Sequence, residues 1–166
     1  MADTTLTLEQ IELGIAHHFD FRANIIVPNV SWGMLTHEAD IIVMSKAGYL
    51  TEIEIKRSWS DFLADFRKSH KHDDDMISWY YYAVPKSISG KCRQKLEEID
   101  PHKKWGLLEY SEFEGWCYVD LVYYPTNKNE HSNLKKLSMQ SQFQFARLGA
   151  MRTWSLKNKI IKIETR

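Results

Sequence analysis

Three residues, Asp40, Glu54 and Lys56, have the types and the spacing that cation and phosphate chemistry requires. Glu54 and Lys56 lie two positions apart in the alternating run 51–56, so both side chains point to one face of a predicted strand. Asp40 opens the preceding apolar run, where its carboxylate could meet Glu54 across a strand pair. Two carboxylates can hold a hard divalent cation, and a lysine can orient water or stabilise a growing charge on phosphate.

A β-hairpin is predicted to position these residues. The apolar runs 40–43 and 49–56 are separated by residues 45–48 (SKAG), a short loop that contains glycine. Glu52 shares the face of Glu54 on the second strand, where it either supports the site or is solvated. His37 precedes the first strand and is a candidate ligand or phosphate contact, but a lone histidine at a strand start is more often exposed.

A helix is predicted directly after the hairpin, from Ser58 to about residue 71. Ser58 and Asp61 form a capping-box pair at its start. The helix N-terminus would lie beside the end of the Glu54 strand, where free N–H groups and the helix dipole favour an anion. Ser58 and Ser60 are therefore predicted phosphate contacts, with capping as the alternative role of either one.

The downstream sequence carries a family resemblance. Asp40, followed 14 positions later by Glu54-Ile55-Lys56, resembles the motif of PD-(D/E)XK nucleases. Residues 57–65 (RSWSDFLAD), 82–85 (YAVP) and 105–108 (WGLL) are similar more specifically to the MmcB-like DNA-repair group of that superfamily. The similarity spans roughly residues 8 to 152, and Ala39 stands where the superfamily usually has proline.

The resemblance implies a fold. Hydrophobic patterning alone predicts an α/β protein with a mixed sheet. The resemblance makes this a restriction-endonuclease-like αβββαβ core, with a mixed central sheet flanked by helices and followed by a C-terminal hairpin and a long helix. The first strand is predicted to end at Pro28, and the whole chain, residues 1–166, is predicted to form a single domain.

The resemblance also implies an activity, the metal-dependent hydrolysis of DNA phosphodiester bonds in DNA repair, recombination or the processing of phage or host DNA. Asp40, Glu54 and the backbone carbonyl of Ile55 would bind Mg²⁺ or Mn²⁺, and Lys56 would stabilise charge near the attacking water. Glu12, on the flank of the first helix, is either a third carboxylate directed at the metal or a boundary residue reaching solvent. Lys68 and Lys71 are candidate DNA contacts in the polar stretch 68–75, which is otherwise typical of a solvated loop.

Charge is balanced overall but unevenly distributed. The chain has 22 basic and 22 acidic residues, so it is not a polycation. Residues 134–166 hold eight of the basic residues and one acid, which leaves 14 basic and 21 acidic residues elsewhere. This basic end either contacts phosphates or forms a solvated amphipathic helix.

A cytoplasmic location is predicted. Cys92 and Cys117 are far apart and have no partner at metal-ligand spacing, which argues against a zinc site or a disulfide framework. Neither a signal peptide nor a transmembrane run is expected, so no membrane partner is predicted.

Two alternatives to a nuclease remain open at this point. One is a catalytically silent nucleic-acid-binding domain on the same fold, and the other is a protein-interaction domain. A homodimer is frequent in the superfamily, although no stretch of this sequence identifies an interface.

Overall fold

A computed structural model describes residues 4–30, 35, 37–66, 74–100, 102, 104–125 and 135–164. It has four helices and six strands in these ranges. In chain order they are α1 (Leu8–His18), β1 (Ile25–Val30), β2 (Ala39–Met44), β3 (Leu50–Ile55), α2 (Trp59–Asp65), β4 (Ile77–Pro85), α3 (Lys86–Ile99), β5 (Trp105–Phe113), β6 (Trp116–Tyr123) and α4 (Met139–Glu164).

The six strands form one sheet, in the order β1-β2-β3-β4-β5-β6. The pairs β1/β2, β2/β3 and β5/β6 are antiparallel, whereas β3/β4 and β4/β5 are parallel. Parallel neighbours need a crossover connection, and α2 and α3 lie in those two connections. The predicted α/β class with a mixed sheet is confirmed.

The sheet separates two packing layers. On one side, α1 packs Ile11 and Ile15 against Ile41 and Ile53 of the central hairpin. The opposite face carries the even-numbered residues of that hairpin and is covered by α2, α3 and α4. Because strand side chains alternate, Asp40, Glu52 and Glu54 belong to this second face.

A close approach fixes α1 on the sheet. A Cβ added to Gly14 would lie 2.7 Å from the sulfur of Cys117 on β6, so only glycine lets the helix come this near. Thr7 and Gln10 complete a capping box at the start of the same helix. This packing sets the position of Glu12, two residues before Gly14.

Two predicted element boundaries are wrong. β1 continues through Pro28 to Val30, and Pro28 pairs with Ile41. Since β1 is an edge strand, a missing N–H need not interrupt the ladder. Helix α2 ends at Asp65 instead of continuing to about residue 71. Phe66 is the C-cap of α2, and residues 67–73 lie outside the described residues.

Within the described ranges, no helix combines the length and the apolar character needed to cross a membrane.

Candidate active site

Asp40 and Glu54 meet at one end of the β2–β3 pair. Asp40 lies near the start of β2, and Glu54 lies near the end of β3. The backbone N–H of Ile55 donates to Asp40 Oδ2 at 2.8 Å, and the backbone N–H of Asp40 donates to Glu54 Oε1 at 3.4 Å. Each carboxylate is therefore held by the backbone of the neighbouring strand, and the predicted proximity of the two residues is observed.

Lys56 lies between two carboxylates. It is 3% exposed, and its Nζ is 3.1 Å from Glu54 Oε2 and 2.9 Å from Asp65 Oδ1. Its backbone is fixed as well, because its N–H donates to the Ala83 carbonyl and its own carbonyl accepts from the Tyr110 hydroxyl. Both the ammonium group and the backbone of Lys56 are thus held in place.

The charge of Lys56 is stabilised by its partners. Burial alone would lower the pKa of the Lys56 ammonium, but the carboxylates of Glu54 and Asp65 outweigh it and raise that pKa above 10.5. Lys56 is therefore a permanent cation near neutral pH, which suits it to an anionic partner.

Asp65 is a site residue that sequence reasoning missed. It is buried at the end of α2, and its second oxygen, Oδ2, accepts from the Tyr82 hydroxyl at 2.8 Å. Burial and the negative charge of Asp65 raise the pKa of Tyr82, so the hydroxyl stays protonated and donates. The sequence signal was an acid three residues after Phe62, on the apolar face of a predicted helix, where a buried carboxylate needs a cation or hydrogen-bond donors.

Glu52 and His37 form a second buried pair. Glu52 is fully buried in β3, and His37 Nε2 lies 2.9 Å from both of its carboxylate oxygens. The expectation that His37 is simply exposed is wrong, and so is the solvated alternative for Glu52. A carboxylate in the middle of a sheet needs a donor, and His37 supplies one from the segment before β2. That Glu52 supports the chemistry remains a prediction.

Glu12 lies near the same end of the sheet. Its Oε1 accepts from the Asn29 side chain at 3.4 Å. Partial burial and the charges of Glu9 and Asp40 raise the pKa of Glu12, although Asn29 and Lys159 oppose that shift. Glu12 is therefore half-buried and hydrogen-bonded to β1, so it is not simply a solvent-facing boundary residue.

Replacing Glu12 with glutamine should raise the melting temperature at pH 7, by roughly 1–3 °C. Because folding raises the pKa of Glu12, the folded state binds more protons than the unfolded state between pH 4.5 and that raised pKa. The free energy of unfolding of the wild type therefore falls as pH rises through this window. The variant avoids this fall, because glutamine has no carboxyl group to ionise. Thermal unfolding in EDTA at pH 7 and at pH 3.5 measures this, with the gain expected to vanish at pH 3.5. Equal melting temperatures of the wild type and Glu12→Gln at pH 7 would contradict a raised pKa of Glu12 in the folded protein.

The predicted phosphate contacts have mixed outcomes. Ser58 Oγ accepts from the Asp61 N–H at 3.2 Å and lies 3.0 Å from Ser60 Oγ, so Ser58 caps α2. Ser60 is exposed. A phosphate contact by either serine remains a prediction. Lys68 and Lys71 lie outside the described residues.

The donor set at Asp40 and Glu54 suits a hard cation. Over the described part of the chain, no three or more His, Cys, Asp or Glu side chains are grouped to hold a metal. Mg²⁺ commonly binds one or two carboxylates and completes its shell with water and substrate phosphate, so two carboxylates meet its chemistry. A cation at Glu54 would have to compete with Lys56, 3.1 Å from Oε2.

Comparisons with known proteins add the fold alone. No protein-family model matches this chain, and no curated protein matches it. A solved structure from Silicibacter pomeroyi, described as a protein of unknown function, is similar with a TM-score of 0.60 and 17% sequence identity. The similarity covers 98% of this chain and 97% of that chain. The overall fold thus has a counterpart among solved structures.

Proposed function

We propose that this protein is a metal-dependent nuclease of the PD-(D/E)XK superfamily, similar to its MmcB-like group, that hydrolyses DNA phosphodiester bonds. The observation that carries the proposal is the cluster of Asp40, Glu54 and Lys56 at one end of β2 and β3. In the sequence, Glu54 follows Asp40 by 14 positions and Lys56 follows it by 16. In space, backbone hydrogen bonds link the Asp40 and Glu54 strands, and the Lys56 ammonium contacts Glu54 Oε2. A restriction-endonuclease-like core is part of the proposal, supported by the element order helix, three strands, helix, strand.

Each residue has a role that its surroundings support. Asp40 and Glu54, with the Ile55 carbonyl, would hold the cation. When bound, Mg²⁺ or Mn²⁺ would lower the pKa of a water ligand and polarise the scissile phosphate. Lys56, which stays protonated, would stabilise negative charge on a phosphate oxygen.

One observation favours the silent alternative, a nucleic-acid-binding or protein-interaction domain on the same fold. Glu54 and Lys56 are only 5% and 3% exposed, and the ammonium already occupies one oxygen of Glu54. Little of the Lys56 side chain is therefore accessible to a phosphate in this structure.

Cleavage of a panel of labelled DNA structures tests the proposal. Duplex, single strand, flap and junction substrates would be incubated with the protein in Mg²⁺, Mn²⁺ or EDTA. Cutting in either metal but not in EDTA is the expected result. Salt-sensitive DNA binding without cutting would favour the silent nucleic-acid-binding domain. If the protein neither bound nor cut any nucleic acid, both the nuclease and the silent nucleic-acid-binding domain would be refuted.

The basic end of α4 is the surface proposed to contact the DNA backbone near this site. Lys159 lies close enough to Glu12 for its charge to lower the Glu12 pKa, and Arg152 binds the carbonyl of Asn29. Trp154 is 65% exposed, with the Lys157 ammonium 5.0 Å from its ring. Cations combined with an exposed aromatic ring are typical of surfaces that bind single strands.

Replacing Lys159 and Lys162 together with glutamine should weaken DNA binding and make the negative slope of log K against log salt shallower by about 2. Two phosphate contacts would be lost, and with them the counterions that those contacts release. Fluorescence anisotropy with a labelled oligonucleotide over a salt series measures the slope. Lys91→Gln with Lys95→Gln on α3 is the matched control, since it removes the same charge elsewhere. Equal slopes for the two double variants would exclude α4 as the contact surface.

A further inference from the structure

Among the described residues, Lys56 contacts two carboxylates, Glu54 of the proposed metal site and Asp65 outside it. Glu54 Oε2 is 3.1 Å from Nζ, and Asp65 Oδ1 is 2.9 Å from it. We infer that Asp65 is the positioning residue that holds Lys56 when a divalent cation takes Glu54. This inference rests on the proposed function.

A second anion is needed because the cation and the ammonium compete for Glu54. A divalent ion bound to Glu54 would neutralise that carboxylate and repel the neighbouring ammonium. With Glu54 as its only partner, Lys56 would either stay and exclude the metal or remain buried without a counter-charge, which is costly. Asp65 removes that conflict, since Nζ already contacts it.

Asp65 is itself held rigidly. Its second oxygen accepts from the Tyr82 hydroxyl at 2.8 Å. The Tyr82 ring stacks on Trp105 at 4.2 Å between ring centres and meets Phe62 edge-on at 5.1 Å. The backbone of Lys56 is bound by Ala83 and Tyr110, so the ammonium can shift fully to Asp65 without movement of β3. Asp65 therefore provides a fixed position for the Lys56 ammonium.

Mn²⁺ affinity, measured by isothermal titration calorimetry without DNA, tests the inference in four proteins. They are the wild type, Asp65→Asn, Lys56→Met and the double variant. Asp65→Asn should weaken Mn²⁺ binding by roughly 10–100-fold, the range found for partners behind metal ligands. Lys56→Met should tighten binding, because it removes the competing cation. In the Lys56→Met background, the effect of Asp65→Asn should be about tenfold smaller, since Asp65 acts through the lysine.

Asp61→Asn is the matched control for charge. Asp61 is exposed on α2, one turn before Asp65, and its carboxylate accepts from the Arg57 N–H rather than from Lys56. It should change Mn²⁺ affinity by less than about twofold, because exposed charges are screened. Tyr82→Phe keeps every charge and removes only the hydroxyl that fixes Asp65, so it carries the test if Asp65→Asn fails to fold. It should weaken Mn²⁺ binding in the presence of Lys56 and leave it unchanged in its absence.

The outcomes separate the inference from the proposed function. If the wild type binds no Mn²⁺, the metal site is refuted and the inference with it. If the wild type binds Mn²⁺ but Asp65→Asn behaves like Asp61→Asn, the inference alone is overturned. An equal effect of Asp65→Asn with and without Lys56 would also overturn it, because Asp65 would then act by its charge and not by positioning.

Discussion

Replacing Glu54 with glutamine should abolish metal-dependent DNA cleavage, with a loss on the order of 10³-fold or more. The variant keeps the size of the side chain and an oxygen that can accept from the Asp40 N–H, 3.4 Å away in the wild type. It removes the negative charge that the cation needs and that partly balances Lys56. Single-turnover cleavage of the best substrate from the panel measures the loss, and DNA affinity should remain within a few-fold of wild type.

Glu97→Gln is the control for this substitution. Glu97 is exposed on α3 and pairs with Arg93 at 3.0 Å, a surface contact of small value. The same chemical change there should leave the cleavage rate unaltered. If Glu54→Gln cut DNA at the wild-type rate, the cluster at Asp40 would not be the catalytic centre.

Replacing Lys56 with methionine should lower the free energy of unfolding by about 3–5 kcal/mol. The substitution leaves Glu54 and Asp65 buried without the ammonium that lies within 3.1 Å and 2.9 Å of them. Urea unfolding followed by circular dichroism measures the change. Adding Asp65→Asn should recover part of it, because the double variant buries one less uncompensated charge.

The difference in the free energy of unfolding between wild type and Lys56→Met should depend on pH with a defined sign. Since folding raises the pKa of Lys56 above 10.5, its pairing stabilises the protein fully below pH 10.5 and is lost as pH rises through the raised value. The difference between wild type and Lys56→Met should therefore be constant from pH 7 to pH 9. Lys86→Met is the control: the Lys86 side chain is 65% exposed and lies 3.6 Å from Glu109, so a loss of under about 1 kcal/mol is expected. Equal losses for the two variants would contradict a buried ion pair.

Local pattern was enough to predict the parts of the site that neighbouring strands determine. Strict alternation at 51–56 placed Glu52, Glu54 and Lys56 on one face, and a short glycine-containing loop placed Asp40 opposite. The structure pairs Ile41 with Ile53, which brings Asp40 beside Glu54. Strand alternation and the residue preferences of a turn act over a few neighbouring residues, so they can be recognised in a single sequence.

Contacts between distant elements were not predictable in the same way. His37 next to Glu52, and Asp65 between Lys56 and Tyr82, depend on how segments pack across the sheet. Their common cause is the cost of burying a charge, which acts only once the fold determines which charges are buried. The same packing across strands brings the Trp105 ring of β5 against the Tyr80 and Tyr82 rings of β4.

The hydrogen bond from the Tyr110 hydroxyl to the Lys56 carbonyl has a consequence for the order in which the protein matures. Asp40, Glu54, Lys56 and Asp65 leave the ribosome early, but β5, which carries Tyr110, is made 54 residues after Lys56. Until β5 pairs with β4, one of the two backbone anchors of Lys56 is missing. The growing chain therefore carries Lys56 and its acidic partners before both backbone anchors of Lys56 exist, and the lysine is fully fixed only after β5 has been made.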